Sequence, residues 1–262
     1  MSYENYERLT FEHKENGVLL VTINRPEKYN AADNTLLAEY MTVWNDITAD
    51  DDTRVVVITG AGKAFSAGGD LTEEVDKLNS FDAAMRTFKE ARGLVNNMIE
   101  CDKPIISAIN GPAAGAGLAV ALMSDISIIG KTVKITDGHV NIGLAAGDHA
   151  AIIWPLLCGM AKAKHILLTG DQITGEEAER IGLVSQAVDK ENVLDEALAL
   201  ADRLASKPKY ALQFTKHSLN NWLRLAMPTF ESSLGYELLT FFSPDAKEGM
   251  TAFLEKRTPD FD

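Results

Sequence analysis

Three stretches carry residue types whose spacing could do chemistry. In the first, a β-branched run over Pro104–Ile109 breaks at Asn110-Gly111-Pro112, passes through Gly115-Ala116-Gly117 and enters an apolar stretch, Leu118–Met123. Strand, glycine-rich turn and helix start, in that order, leave backbone N–H groups unpaired at the positive end of a helix. Such a place holds an anion, or an oxygen on which negative charge develops during a reaction. Nucleotide-binding versions of the turn do not fit. The glycine spacing is GxxxGxG rather than the GxGxxG of a dinucleotide fold, and Gly117-Leu118-Ala119 lacks the lysine and hydroxyl of a phosphate loop. Close helix–strand packing would ask for the same small residues, so this loop alone leaves both readings open.

A second small-residue turn, Ala64-Phe65-Ser66-Ala67-Gly68-Gly69-Asp70-Leu71, follows a buried-type strand at Val55–Thr59. Two strand-to-helix turns could each aim one N–H at the same oxygen, forming an oxyanion hole for an enolate or tetrahedral intermediate. The third stretch runs from Asp137-Gly138-His139 to Gly147-Asp148-His149. An imidazole titrating near neutrality is the usual general base, and a carboxylate can hold its tautomer and stabilise the imidazolium. The glycine-rich segment between His139 and Asp148 lets them fold back on each other; His149 either pairs with Asp148 or faces solvent. Taken alone, a structural histidine remains the simpler reading of His139. His13, His165 and His217 sit in unrelated contexts, and no HExxH, CxxC or clustered carboxylate spacing points to a metal.

The elements that must position these loops follow from pattern. Residues 7–13 and 17–24 alternate as a hairpin across Asn16-Gly17. Asn34-Thr35 caps a helix to about Ile47, and another runs from Phe81 to Cys101 into the strand before the first loop. Short strands are expected at Ile126–Ile129 and Val133–Ile135. Beyond residue 148 nearly everything reads helical: Ala150–Cys158, Ala161–Leu168, Gly175–Ile181, Asn192–Ala205, Lys209–Asn220, Thr229–Phe242 and Pro244–Glu255. Strands repeat early and helices accumulate late, so an α/β core with a helical C-terminal portion is expected.

The chain has 262 residues, 46% of them hydrophobic and 24% charged, which is ordinary for a globular protein with a sizeable core. Its net charge of −13 disfavours nucleic acid and anionic membrane as partners. Cys101 and Cys158 lie far apart, so no disulfide framework is expected. The opening MSYENYERLTFEH is too polar for a signal peptide and no apolar run approaches about 18 residues, so a cytoplasmic location is expected.

With these motifs in hand, the chain resembles the crotonase, or enoyl-CoA hydratase/isomerase, superfamily over essentially its whole length. The resemblance rests on NRPEKYNA at 24–31, AFSAGGDL at 64–71, KPIISAINGPAAGAG at 103–117, LLTGDQITGEEAERIGLVSQAV at 167–188 and EGMTAFLEKRTPDF at 248–261. It implies a ClpP-like spiral of repeated ββα units over 1–200 and a C-terminal helical trimerisation region over 201–262, assembled as a homotrimer or homohexamer. It places the oxyanion-hole N–H groups on Gly69 and Ala116. Coenzyme A would meet Arg25 and Lys28 on its 3′-phosphate side, and Ala67, Gly68 and Asp70 near adenine and pantetheine. No cofactor is implied beyond coenzyme A as part of an acyl-CoA substrate. Without the resemblance, Arg25 and Lys28 read as solvated surface charge.

One departure is catalytic. Hydratases of this family activate water with two glutamates, and the matching positions here hold Ala119 and His139. The His139–Asp148 separation and the Gly147-Asp148…Trp154-Pro155 segment are similar to the β-diketone hydrolase branch, which includes 6-oxocamphor hydrolase. There a histidine–aspartate pair activates water for retro-Claisen C–C cleavage. Glu237 is similar to a further acidic residue of that branch. The branch's additional histidine in the glycine loop is absent, since Ala116 or a neighbour stands there, and this chain keeps the CoA-type AGGD loop. Three readings follow: a lyase, hydratase or isomerase on an acyl-CoA, with His139 oriented by Asp148; a CoA-independent hydrolase of a cyclic β-diketone; and a non-catalytic scaffold that lost its glutamates.

Overall fold

The computed structural model describes residues 3–75, 78 and 80–261. The chain opens with a hairpin of β1 (Leu9–His13) and β2 (Val18–Ile23), whose turn sets Asn16 and Gly17 at φ 60° and 79°. Asparagine and glycine tolerate that left-handed pair, which matches the twist of the flanking strands. Helix α1 (Asn34–Ala49) follows, then β3 (Val55–Gly60), the short α2 (Leu71–Glu74) and α3 (Phe81–Glu100). Asp33, rather than Asn34, caps α1 by accepting from Leu36 N at 2.9 Å.

Next come β4 (Ile105–Ile109), β5 (Ala113–Ala114), α4 (Gly115–Met123), β6 (Ile126–Gly130) and β7 (Lys134–Thr136). The chain continues through α5 (Ala150–Cys158), α6 (Met160–Thr169), β8 (Ile173–Thr174), α7 (Gly175–Arg180) and β9 (Gln186–Val188). It closes with α8 (Val193–Ala205), α9 (Lys209–Leu219), α10 (Asn221–Thr240) and α11 (Pro244–Glu255).

The larger sheet has the order β1-β2-β3-β4-β6-β9 and is parallel from β2 onward; β5, β7 and β8 form a second, smaller sheet. Strands β4 and β6 are each followed by a strand of the small sheet, so the chain spirals between two layers. Alternation along β2 and β3 feeds two cores. Leu19, Val21, Val56 and Ile58 face α1, α3 and α4, while Val18, Leu20, Val55 and Val57 face the alanine stripe of α8.

Two strands interrupt the region read as helical, because β8 and β9 are too short to show a period of two. Helix α10 begins at Asn221 and runs through Pro228, where the sequence suggests a start at Thr229. Burial of Phe230 and Leu234 in the main core holds this helix across its proline. Helix α8 runs through the boundary expected at residue 200.

The contact that positions the site is between α4 and the 64–71 turn. A Cβ on Gly117 would stand 2.3 Å from Ser66 Cβ, so the first turn of α4 lies directly on Ser66. Gly117→Ala should cost about 1–3 kcal/mol by overpacking, read as a lower urea midpoint at unchanged slope. A change below about 0.5 kcal/mol would contradict this packing.

Candidate active site

The 66–69 segment is stitched on both edges. Ser66 bridges Ala113 in parallel, with Ala114 N donating to Ser66 O at 3.0 Å. Gly69 bridges Ala32, with Ala32 N donating to Gly68 O at 2.7 Å and Asp70 N to Ala32 O at 2.9 Å. The residues flanking Gly69 therefore use their groups on Ala32, and the N–H of Gly69 itself points the other way. Gly68 turns the segment at φ +92°.

The second donor comes from α4. Its N-cap is Ala114, which supplies no capping side chain, and Ala116 is its second residue, so the Ala116 N–H has no partner within the helix. A methyl placed on Gly115 would stand 4.0 Å from Gly69 N and 3.9 Å from His139 Cε1. The two loops and the imidazole therefore meet at one point. They close a cleft of about 400 Å³ lined by Ala67, Gly68, Gly69, Gly115, His139 and Phe253, among others.

His139 opens a 3-10 turn (His139–Ile142) that ends on Gly143 at φ 76°. Its Nδ1 hydrogen-bonds Asp137 Oδ1 at 2.7 Å, and its Nε2 lies 3.7 Å from Glu237 Oε1. The orienting carboxylate is thus Asp137, two residues away, and the pairing expected from Asp148 is not made. Asp148 Oδ1 instead bonds His149 Nδ1 at 2.6 Å, and His149 is fully buried. Asp148 still belongs to the cluster: single ligand atoms of His139, Asp148 and Glu237 lie within 4.8 Å of one another, as do those of Asp137, Asp148 and His149. Spacing in the sequence offered no metal site; the fold gathers two ligand sets with the reach to hold a cation. Glu237 arrives because Gly147 has no side chain: a Cβ there would meet Ser233 O of α10 at 2.2 Å. Ser233 Oγ also donates to Gly147 O at 2.9 Å.

Burial works against charge on His139, yet the carboxylates of Asp137, Asp148 and Glu237 outweigh it and hold its pKa well above the ordinary 6.5. Glu237 is pushed up to about 8, first by burial and then by Asp148, Asp137 and Glu74, with His139 opposing. Burial would raise Asp148 too, but the imidazoles of His149 and His139 and its hydrogen bond hold it below the usual aspartate range. Asp137 Oδ2, His149 Nε2 and Glu237 Oε2 are buried with no hydrogen-bond partner among the described residues. At neutral pH this is a reservoir of protons set beside two backbone donors, suited to moving a proton next to a carbonyl.

The coenzyme A expectations divide. Ala67 and Gly68 line the cleft, and Lys28 is exposed outside its lining. Arg25 is not available to a phosphate. Its Nη1 donates to Asp70 Oδ2 at 2.7 Å and to Ala31 O at 3.0 Å, and its Nε lies 3.5 Å from Asp33. Asp70 is spent on that pair and on capping α2. Both hold the loop in shape rather than face the cleft. Lys134, on β7, is the lysine that lines the cleft; sequence reasoning gave it no role, and gave none to Asp137 although that residue opens the third stretch.

A family model for enoyl-CoA hydratase/isomerase matches residues 13–262. The 1,2-epoxyphenylacetyl-CoA isomerase of Escherichia coli K12 is 34% identical over 252 residues, covering 95% of this chain and 96% of that protein. Among solved structures, an enoyl-CoA hydratase/isomerase from Mycobacterium paratuberculosis superposes with a TM-score of 0.89 at 32% identity, covering 93% and 97%. A β-diketone hydrolase from Anabaena sp. PCC 7120 superposes with a TM-score of 0.85 at 28% identity, covering 92% and 96%.

The raised pKa values of Glu237 and His139 both store protons in the folded state. From the ordinary glutamate value of 4.5 up to about 8, folded Glu237 keeps a proton that the unfolded chain has released. His139 does the same above 6.5. Their contribution is complete below those unfolded values and is lost as pH rises through the folded ones. Urea midpoints should therefore fall between about pH 6 and 9, and Glu237→Gln should flatten the slope below about pH 8. A midpoint that rises over that window would contradict the proton assignment.

Proposed function

The chain belongs to the enoyl-CoA hydratase/isomerase family, and on that premise we propose that it performs acid–base chemistry on an acyl-CoA thioester. The observation that carries this reading is the meeting of Gly69 N and His139 Cε1 about one point beside Gly115, 4.0 and 3.9 Å away. A thioester oxygen there accepts from the N–H groups of Gly69 and Ala116, so charge moving onto it as an enolate is stabilised by several kcal/mol. Asp137 holds His139 Nδ1–H, which leaves Nε2 as the working nitrogen. His139 is held charged, so it first gives up its proton, and its neutral form then takes one from the α-carbon or from water. The carboxyl of Glu237, 3.7 Å from Nε2, shares that proton. The coenzyme A arm runs along the cleft past Ala67 and Gly68 toward Lys134, whose cation suits its phosphates.

Assembly as a homotrimer or homohexamer is part of the same reading. Tyr210, Phe214, Trp222, Leu225 and Leu239 are exposed along α9 and α10, an apolar surface that further copies of the chain would cover. No helix among the described residues is long and apolar enough to cross a membrane.

A second reading is retro-Claisen cleavage of a β-diketone without coenzyme A. It is favoured by the gathering of His139, Asp148 and Glu237 and by the likeness to the Anabaena β-diketone hydrolase.

Deuterium exchange at the α-carbon of butyryl-CoA, followed by NMR, separates the two. The wild type should exchange it, and His139→Ala should lose about 10²–10⁴-fold in rate while thioester affinity stays within about threefold. Absence of saturable thioester binding, together with turnover of a cyclic diketone, would move the assignment to the second reading. Unchanged exchange in His139→Ala would remove that residue from the mechanism.

A further inference from the structure

A carbonyl carbon is trigonal. With a thioester oxygen on the amides of Gly69 and Ala116, the sulfur and the α-carbon must leave that point in different directions. The cleft past Ala67 and Gly68 takes the sulfur arm. Gly115 lines that cleft, and the next residue, Ala116, lines a second, smaller space of about 30 Å³. Its walls are apolar, from Leu37, Ala91, Leu94 and Ala119; Glu90 and Asp148 also border it. Asp148 sets the space beside the imidazole, since single ligand atoms of His139 and Asp148 lie within 4.8 Å of each other.

The size of this space is fixed by the core. Position 119 lies one helical turn from Ala116 and ends in a methyl group, so a longer side chain there would fill it. Leu37 and Leu94 are buried in the main core. Their helices are locked together: a Cβ on Gly93 would stand 2.4 Å from Met41 Cγ, and Asn97 Nδ2 donates to Met41 O at 2.6 Å. Walls packed in this way do not widen for a larger guest without cost. One water needs roughly 10–15 Å³, so about 30 Å³ takes about two groups of water or methyl size. Apolar walls give such a guest contact and give water few hydrogen bonds.

We propose that this space seats the β- and γ-carbons of the acyl group, and that Leu94, with Leu37, sets the limit on chain length. The substrate is then a short aliphatic thioester of about four acyl carbons. Its carbonyl carbon stands at the two amides, its α-carbon beside His139, and the remaining carbons lie against Ala119 and Leu94. The inference rests on the reading that the Gly69 and Ala116 amides hold a thioester oxygen.

The experiment follows α-deuterium exchange by NMR on the full chain, with acetyl-, butyryl-, hexanoyl- and octanoyl-CoA. Each carbon that the seat buries should add about fourfold to kcat/KM, so butyryl-CoA should exceed acetyl-CoA by about tenfold or more. Hexanoyl- and octanoyl-CoA should fall about tenfold or more below butyryl-CoA. Ala119→Val fills the seat and should bring the butyryl-to-acetyl ratio to within about twofold of unity. Leu94→Ala opens it and should raise the hexanoyl-to-butyryl ratio about tenfold or more. A rate that stays level or climbs from butyryl- through octanoyl-CoA would overturn the size limit. That comparison needs only the wild type, so it stands if either variant fails to fold. An unchanged butyryl-to-acetyl ratio in Ala119→Val would overturn the seat, and an unchanged hexanoyl-to-butyryl ratio in Leu94→Ala would overturn its wall. In these cases exchange still occurs and the inference fails alone. A wild type that neither binds nor exchanges any thioester overturns the underlying reading.

Discussion

Everything at the site depends on residues 66–69 being paired on both edges. A chain segment with neighbours on each side has its backbone directions fixed, and only alternate groups remain for a ligand. Ser66 is committed to Ala113 and Gly69 to Ala32, which leaves the Gly69 amide facing the cleft. The pairing is locked by buried polar groups that ask for specific partners. Asn30 is fully buried at φ 57°; its amide donates to Ala61 O and Ala64 O at 2.9 Å each, and its carbonyl accepts from Ser66 Oγ at 2.7 Å. Arg25, joined to Asp70 and Asp33, ties the start of α1 to the end of the same loop. Removing one partner of such a pair would strand a buried charge, a far larger effect than losing a surface ion pair. The NRPEKYN and AGGD motifs are therefore two halves of one brace.

Behind the brace, the cluster of Asp137, His139, Asp148, His149 and Glu237 follows from charge balance. Three carboxylates cannot all ionise side by side in a buried setting without counter-charge. The structure answers in two ways. Each imidazole takes one aspartate at hydrogen-bond distance, and Glu237, without such a donor, keeps its proton. The result is a graded set: an aspartate held ionised, an imidazole held charged, and a glutamic acid that lets go only well above its usual range. Groups pushed apart in this way can divide acid and base roles.

Much of this was legible in the sequence, and the failures have a common cause. The strand–turn–helix order and the two glycine loops follow from local pattern, His139 and Asp148 stand in one glycine-rich segment, and Glu237 comes from the resemblance alone. The partner of His139 does not follow from local pattern, because it depends on how the chain turns: ahead of the 3-10 turn that ends at Gly143, Asp137 takes the ring's Nδ1, and Asp148 pairs with His149 instead. Arg25 looked like surface charge, or a phosphate ligand, because its carboxylate partner lies 45 residues away on another loop. Glu237 depends on the register of a helix that continues through Pro228, which propensity alone would have cut. In each case tertiary contact, not local preference, decided the outcome.

The exchange of glutamates for Ala119 and His139 is best understood as one coupled change. A glutamate at 119 would direct its carboxylate toward the space that Asp148 now borders, and would add a further negative charge to a cluster that already keeps Glu237 protonated. An imidazole at 139 needs a carboxylate on Nδ1 to fix its tautomer, and Asp137 supplies one from the end of β7. A methyl at 119 therefore goes together with the aspartate at 148. The histidine at 139 likewise goes together with the aspartate at 137. The backbone N–H groups of the two loops need neither change, so that frame can stay as it is while the titratable groups around it differ.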